Sequence, residues 1–410
     1  MSANAFEPAP PVDAAAAPAR RPGTVAEVFA LFLRLGCSSF GGPVAHLGYF
    51  RAEFVERRRW LDERAYADLV GLAQFLPGPA SSQTGFAIGL RRAGYWGGLA
   101  AWTGFTLPSA LLLVLFAYGA APLATSSVGA GLLHGLKLVA VAIVAQAVWG
   151  MARTLAPDRP RASIATAAVI LVMATPVSVG QLSAIALGGV AGLVLCRDPG
   201  GQMVPESLAM PVSRTVGVVC LILFVGLLLI VPLLRALGGG FVMFDAFYRS
   251  GALVFGGGHV VLPLLRDALV APGFVSDDAF LAGYGATQAM PGPVFTFAAY
   301  LGAVMHGVPG AVLALVAIFL PGVLLMTGTL PFWDGLRAYP AAQAAMRGVN
   351  AAVVGVLGVA LYDPVWTSTV HAPADFALAL LGFVLLTVWK APPLLVVALG
   401  ALGGSALPLL

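Results

Sequence analysis

Apolar residues occur in long runs along the chain, and Gly, Pro or a charged residue stands close to the ends of each run. Examples are the runs from Val216 to Val231, from Ala311 to Leu325 and from Phe376 to Val388. A run of about 20 apolar residues can cross the hydrocarbon core of a bilayer as one helix. The pattern therefore predicts an all-α polytopic membrane protein whose first partner is the lipid bilayer.

Composition agrees with this prediction and removes several function classes. Of 410 residues, 59% are hydrophobic and 10% are charged, whereas soluble domains carry about 25% charged residues. The basic residues lie mostly in loops, so no nucleic acid is predicted as a partner. Neither Lys137 nor Lys390, the two lysines, lies in a phosphate-binding loop for ATP, and the three cysteines lack metal or disulfide spacing. We predict transport driven by a gradient or potential, with no cofactor, no metal and no catalytic residue.

An internal repeat is the most informative feature of the sequence. The segment from Phe40 to Pro43 recurs as Phe255 to Gly258, and the segment from Gln74 to Pro79 recurs as Gln288 to Pro293. Further matched pairs in the same order are Arg34 and Arg249, Pro108 and Pro321, and Gly135 and Gly348. Such duplication is common in secondary transporters. It predicts a first repeat (24–197), a linker with one transmembrane helix (198–240) and a second repeat (241–410). Residues 1–23 are rich in Ala and Pro and lack a long apolar run, which predicts a disordered cytoplasmic tail.

Loop charges predict that the two repeats have opposite topology. Three loops of the first repeat are basic, with five arginines between residues 51 and 64, then Arg91 and Arg92, then Arg153, Arg159 and Arg161. The corresponding loops of the second repeat are acidic, uncharged or free of Lys and Arg. Because cytoplasmic loops collect Lys and Arg, we expect inverted repeats related by a pseudo-twofold axis in the membrane plane. The basic loops and the N-terminus are then cytoplasmic.

The repeated Pro-Gly-Pro segments predict broken or re-entrant helices. In lipid, an interrupted helix is tolerated only where its freed backbone groups face protein or a watery cavity. Pro77 ends one helix, Gly78 permits a tight turn, and the helix that follows begins with free N–H groups that suit an anion. The alternative interpretation is a simple kink in each helix. The recurrence of the motif at matched positions makes this alternative weaker. The predicted substrate-binding residues here are Gln74, Pro77, Gly78, Ser81, Ser82, Gln83, Gln288, Pro291, Gly292 and Thr296.

Three cations at predicted membrane depth extend the proposed anion site. Arg34 and Arg249 occupy matched positions near the Phe-Gly-Gly motifs, and Lys137 lies in a third apolar run. A planar guanidinium suits an oxyanion. The alternatives are snorkelling or pairing with Glu27 or Asp245 for the arginines, and a structural ion pair for Lys137.

Structural or gating roles are predicted for the Gly-Gly motifs and the histidines near them. These residues are Gly41, Gly42, His46, Gly256, Gly257 and His259. Each histidine could instead simply complete a hydrogen bond. The mixed charges from Glu53 to Asp68 resemble catalytic carboxylates beside arginines, but their helical spacing and Trp60 favour an amphipathic segment at the cytoplasmic surface.

Taken in order, these motifs resemble the long-chain, two-domain chromate ion transporter family. The resemblance rests on Phe40 to Pro43, Glu53 to Val55, Arg58 to Leu61 and Gln74 to Pro79, with the matching motifs of the second half, and it covers the chain from about Thr24 onward. It implies a bacterial inner-membrane protein, with two halves of opposite orientation, that exports chromate and confers chromate resistance. Sulfate is an implied competitor.

Two other functions stay open at the level of sequence. A carrier of sulfate or another oxyanion would have the same architecture, because chromate and sulfate are both tetrahedral dianions. An intramembrane enzyme acting on a lipid headgroup would use the charged segment from Glu53 to Asp68. A homodimer, the coupling ion and the number of full-length helices are also left open.

Overall fold

The computed structural model describes residues 23–40, 42–123, 126–175, 177–197, 210–254, 260–336 and 339–406, and over these residues the chain is helical with no β-strand. The first repeat contains α1 (Val25–Ser38), α2 (Gly42–Phe50), α3 (Glu63–Phe75), α4 (Ala80–Leu123), α5 (Ser127–Leu155), α6 (Arg159–Ala174) and α7 (Val177–Leu195). The linker helix is α8 (Arg214–Ile230). The second repeat contains α9 (Gly239–Ala252), α10 (Val261–Leu269), α11 (Asp277–Thr287), α12 (Phe297–Thr329), α13 (Trp333–Leu336), α14 (Pro340–Ala360), α15 (Pro373–Thr387) and α16 (Pro393–Ala406).

Short polar residues and prolines set where many of these helices begin. The Asp62 carboxylate accepts a hydrogen bond from the Ala65 N–H at 2.8 Å, and the Asp158 carboxylate accepts one from the Arg161 N–H at 3.0 Å. Each bond satisfies an N–H that has no acceptor within its own helix. Proline stands in the first turn of α6, α14 and α15, where its missing N–H costs nothing.

Within the described residues, five helical stretches are long and apolar enough to span a membrane, which together with the helical content confirms the prediction of an all-α polytopic membrane protein. They are Ala80–Gly119, Val128–Leu155, Arg214–Leu237, Val294–Phe332 and Pro340–Asp363. Three shorter apolar helices are α15, α16 and most of α7.

Two of the long stretches contain a chain reversal. In α4 the backbone leaves the helical region at Ala93 and Gly94, where Gly94 has φ 68°. A Cβ on Gly89 would lie 2.3 Å from the Gly97 carbonyl oxygen, although residues eight apart in a straight helix are about 12 Å apart. The two arms, residues 80–92 and 95–123, therefore fold back as a hairpin. The first arm is about 20 Å long and too short to cross a bilayer core of about 30 Å.

The second repeat contains the same hairpin at the matched place. In α12, Gly307 has φ 64°, and a Cβ on Gly302 would lie 2.3 Å from the Gly310 carbonyl oxygen. Left-handed φ values of this kind favour glycine because it has no Cβ. Both repeats thus place a short, broken helix directly after a Pro-Gly-Pro turn.

The repeats interlock through their last helices. Helix α5 packs against α16, and α14 packs against α7, so each pair joins a helix of one repeat to a helix of the other. A Cβ on Gly135 would lie 2.1 Å from the Gly400 carbonyl oxygen, and one on Gly348 would lie 2.0 Å from the Gly188 carbonyl oxygen. Glycine is needed at both crossings because the backbones approach so closely. Reciprocal contacts of this kind are those of a twofold-related pair. The orientation of that axis relative to a membrane stays a prediction.

Candidate functional site

The two Pro-Gly-Pro turns lie at the interface between the repeats, and each is hydrogen-bonded to the opposite repeat. The Gly78 N–H donates to the Val254 carbonyl at 2.7 Å, and the Gly292 N–H donates to the Ser39 carbonyl at 2.9 Å. Ser39 and Val254 stand directly before the two Phe-Gly-Gly motifs. Both glycines have left-handed φ values, +124° and +98°, which a side chain would strain.

Protein surrounds both turns. A Cβ on Gly78 would meet the Gly322 Cα of α12 at 3.3 Å, and one on Gly292 would meet the Ser109 Oγ of α4 at 2.9 Å. Pro291 is buried and Pro77 is half-buried. The helix breaks therefore face the junction of the two repeats, where freed backbone groups can be satisfied.

A cavity of about 50 Å³ adjoins the second turn. We call it the hollow, and its lining includes Gly42, Gln146, Thr287, Gln288, Gly292 and Val294. One water needs about 10–15 Å³ by this measure, so the hollow holds a group of a few non-hydrogen atoms. Residues of both repeats contribute to its wall, and all of the lining side chains are uncharged.

The hollow offers hydrogen-bond donors. Helix α2 begins at Gly42, and the turn Val294–Thr296 leads into α12, so two helix starts from different repeats border it. Their first N–H groups have no acceptor within the helix and carry the positive end of the helix dipole. Among the described residues, the buried Gln288 Nε2 has no hydrogen-bond partner. The Gln146 Nε2 makes only a long bond of 3.4 Å, to the Leu386 carbonyl. This combination suits an anion.

Around the first turn, the predicted side chains make hydrogen bonds within the protein. The His46 Nε2 lies 3.2 Å from the Ser39 carbonyl and Nδ1 lies 3.4 Å from the Ser81 Oγ. Because a carbonyl can only accept, Nε2 carries the proton and the neutral ring accepts from Ser81. The Gln83 Nε2 donates to the Pro77 carbonyl at 3.0 Å and to the Gly322 carbonyl at 3.3 Å. Gln83 thus braces the first turn, while Ser81 is hydrogen-bonded to His46.

The other predicted residues near the turns differ in environment. Gln74 is exposed, while its counterpart Gln288 lies at the hollow. The Thr296 hydroxyl donates to the Pro293 carbonyl at 2.7 Å. The Ser82 Oγ is buried and has no hydrogen-bond partner in the part of the chain that the structure describes. Gly41, Gly256, Gly257 and His259 lie outside the described residues.

The lining of the hollow includes none of the three predicted cations. The Lys137 Nζ forms an ion pair with the Asp278 carboxylate at 2.8 Å, and the Arg249 Nε forms one with the Asp245 carboxylate at 3.0 Å. Asp245 is 1% exposed. Arg34 is exposed, and its charge is among those that lower the pKa of Glu53. The geometry at Lys137 and Arg249 is that of the ion-pair alternative. Their role in binding cargo remains a prediction.

The charged segment after α2 is held together by ion pairs. The Arg51 Nε lies 2.6 Å from the Glu63 carboxylate, and the Glu53 carboxylate lies 2.6 Å from the Arg58 Nε. Burial alone would raise the pKa of Glu53, but the neighbouring guanidinium groups, Arg58 first, bring its pKa below the ordinary value. Glu53 therefore stays ionised at neutral pH and is a poor general acid.

Several lining residues of the hollow were missed by the sequence analysis. Ile143 and Gln146 come from α5, Thr287 and Met290 flank Gln288, and Pro393 begins α16. Gln146 could have been found, because an amide inside an apolar run is an intramembrane polar residue. The other missed residues have no feature in the sequence that indicates a site. They line the hollow because of how the helices pack.

Comparisons with known proteins agree with the motifs. A family model described as "Chromate transporter" matches residues 26–193 and 241–405. A "Chromate transport protein" of Pseudomonas aeruginosa is 27% identical over 399 residues, covering 94% of this chain and 92% of that protein. A "Chromate transport protein" of Cupriavidus metallidurans is 26% identical over 395 residues, covering 94% of each. "Uncharacterized transporter YwrB" of Bacillus subtilis is 38% identical over 124 residues, which cover 30% of this chain and 62% of that protein. No solved structure matches the chain significantly.

Proposed function

Because the chain belongs to the chromate transporter family, we propose that it is a secondary transporter that exports chromate across the bacterial inner membrane and thereby confers chromate resistance. The observation that carries this proposal is the hollow, a donor-lined and uncharged cavity between two helix starts from opposite repeats. Relatives over nearly the full chain length are chromate transport proteins by name, which supports chromate as the cargo.

The chemistry of the hollow suits a dianion that must also be released. Gln288 and the first N–H groups of α2 and of the turn Val294–Thr296 can each donate to an oxyanion that has lost part of its water. Hydrogen bonds to a charged group contribute about 1.5–3 kcal/mol each. A few such bonds without a direct cation give moderate affinity, whereas a cage of arginines would retain the ion.

The membrane potential can supply the driving force for export. Moving one charge through 100 mV is worth about 2.3 kcal/mol, so a dianion that leaves a negative interior gains roughly 4.6 kcal/mol. That equals about three decades of concentration ratio. An ATP site is not required for this cycle.

Alternating access would need the repeats to move relative to each other. The two turns are tied across the interface by the Gly78–Val254 and Gly292–Ser39 hydrogen bonds. Each such bond contributes only about 0.5–1.5 kcal/mol net. We propose that rocking of the repeats breaks or remakes these bonds while the cargo stays beside Gly292.

The test is flux in vesicles. Purified protein is reconstituted in liposomes, and chromate movement is measured at a clamped potential, with and without excess sulfate. We expect chromate flux that rises with an inside-negative potential in the export direction and that sulfate reduces only partly. Equal competition by sulfate would support the general oxyanion carrier instead.

Two further results would overturn the proposal. The first is folded protein in sealed vesicles that shows no chromate flux above protein-free liposomes at any potential. The second is turnover of vesicle lipid without ion movement, which would support the enzyme alternative. In cells, export requires that expression lowers the internal chromate content, and a rise in internal chromate would contradict the direction.

A further inference from the structure

A second cavity, of about 180 Å³, lies at the ends of α6 and α7 beside α14. Its lining includes three arginines, Arg161, Arg197 and Arg347, together with the single carboxylate of Asp158. We call it the basic recess. The other lining residues, Pro160, Leu195 and Cys196, are uncharged. The three arginines and one carboxylate therefore give the basic recess a net charge of +2.

The arginines are only partly used by the protein. The Arg161 Nε and a terminal guanidinium nitrogen donate to the Asp158 carboxylate at 2.7 Å and 2.6 Å, and the Arg347 Nε donates to the Cys196 carbonyl at 2.9 Å. The Arg197 Nε donates to the Leu193 carbonyl. A guanidinium has five N–H donors, so these contacts leave donors for a ligand. Like charges gathered around one cavity are stabilised when an anion enters it.

The place related to the basic recess by the repeat has an acid–base pair instead of clustered arginines. Because Gly135 aligns with Gly348, the counterpart of Arg347 is His134, and the helix starts of α6 and α15 align Arg161 with Asp375. There the His134 Nε2 lies 2.8 Å from the Asp375 carboxylate. Where the matched place pairs a histidine of the first repeat with an aspartate of the second, the basic recess has an arginine from each repeat, Arg161 and Arg347. The net positive charge of the basic recess therefore favours binding of an anion from outside the protein.

The surroundings of the basic recess indicate the kind of anion. Val190, Val194 and Leu195 are 60%, 69% and 53% exposed, so an apolar face of α7 leads away from the recess. Loop charges predict the same end of the molecule to be cytoplasmic. Basic pockets between membrane helices on that side suit the headgroups of anionic lipids, and the apolar face suits their chains. We propose that the basic recess binds the phosphate headgroup of an anionic phospholipid.

Lipid binding is tested on the full chain in detergent. Phosphatidylglycerol or phosphatidylcholine is titrated in, and bound lipid is counted by native mass spectrometry, with the melting temperature as a second readout. We expect preferential retention of phosphatidylglycerol, and an apparent affinity about tenfold weaker in Arg347→Gln and in Arg161→Gln. Arg159→Gln is the matched control, because Arg159 is an exposed arginine in the same first turn of α6 as Arg161 and is not part of the lining. It should bind as the parent does.

A gain-of-binding variant keeps the test decisive if an arginine variant fails to fold. Asp158→Asn keeps a good helix N-cap but raises the charge of the recess by one, so it should retain phosphatidylglycerol more tightly than the parent. Equal retention by the parent, Asp158→Asn and folded Arg347→Gln would overturn the proposal. In a third titration, inorganic phosphate replaces the lipid. If phosphate alone raises the melting temperature as much as phosphatidylglycerol does, the proposal is also overturned, because the ligand would then be the free ion and not a lipid.

Discussion

The two Pro-Gly-Pro turns have the same backbone contacts but different surroundings. Each glycine N–H donates to a carbonyl of the opposite repeat, at 2.7 Å for Gly78 and at 2.9 Å for Gly292. Around the first turn, Gln83 fills the space and ties the turn to Gly322 of α12. Beside the second turn, the space is the hollow, and the Gln288 amide is free to donate.

The comparison shows that the two repeats share their backbone contacts and differ in the side chains around them. The contacts between the repeats need only N–H groups, carbonyls and glycines, so they persist while the side chains around them change. We infer that the first turn supports the junction and the second turn faces the cargo. The predictions below test that division of roles.

The largest effect is expected from substituting the two turn glycines. Gly292→Ala puts a Cβ at φ +98°, 2.9 Å from the Ser109 Oγ and 3.1 Å from the Phe105 carbonyl oxygen. Strain of this kind costs about 1–3 kcal/mol, and the methyl group also changes the wall of the hollow. We expect a lower melting temperature and chromate flux reduced more than tenfold per folded molecule.

Gly78→Ala should have the smaller effect on flux. Its Cβ would meet the end of the Gln83 side chain at 3.0 Å and the Gly322 Cα at 3.3 Å; the side chain can move aside, although φ +124° still strains the residue. Gly226→Ala is the control, because nothing lies within 4 Å of a Cβ there. Equal losses of flux in the two turn variants would contradict the division of roles.

Much of the fold could be predicted from the sequence because apolar runs and matched motifs are local signals. The helices around Val216 to Val231 and Ala311 to Leu325 follow from length and hydropathy alone. The hairpin turns at Gly94 and Gly307 could not be predicted, since they lie inside apolar stretches and depend on the contacts Gly89–Gly97 and Gly302–Gly310. The interlocking of α5 with α16 is a long-range contact without a sequence pattern of its own.

The candidate site was predicted in part. Both Pro-Gly-Pro turns lie at the junction of the repeats, and the duplication of the motif singled out these positions in the sequence. Sequence could not tell which copy would border a cavity, and the polar Ser81 and Gln83 favoured the first turn. Their hydrogen bonds to His46 and Gly322 are made across 35 and 239 residues of chain, respectively. Only the packed structure reveals that these donors are already used.

A loss of flux of the same order is expected at one of the matched glutamines. Gln288→Glu replaces a free donor at the hollow by a carboxylate, whereas Gln74→Glu makes the same change at an exposed position. Losing a hydrogen bond to an anion and adding repulsion should cost about 1.5–3 kcal/mol, or roughly 10- to 100-fold in chromate flux at low concentration. Gln74→Glu should stay within about twofold. A folded Gln288→Glu protein with the flux of the parent would place the cargo elsewhere.

The smallest effect is expected at the matched arginines, and it separates cargo binding from ion pairing. Asp245 is 1% exposed and is contacted by the Arg235 Nε at 2.9 Å and the Arg249 Nε at 3.0 Å. Arg249→Gln leaves that carboxylate with one cation, and because Arg249 is itself 44% exposed in its side chain, the cost should be only about 1 kcal/mol in stability. Arg34→Gln should change stability by less than about 0.5 kcal/mol.

If Arg249 serves in an ion pair, the double variant Asp245→Asn with Arg249→Gln should recover at least part of the melting temperature lost in Arg249→Gln. Flux per folded molecule should hardly change in Arg34→Gln or in Arg249→Gln. Flux and melting temperature measured on the same preparations distinguish the two roles. If chromate flux collapses in Arg249→Gln while its melting temperature stays that of the parent, Arg249 binds the cargo, and the site extends from the hollow to α9.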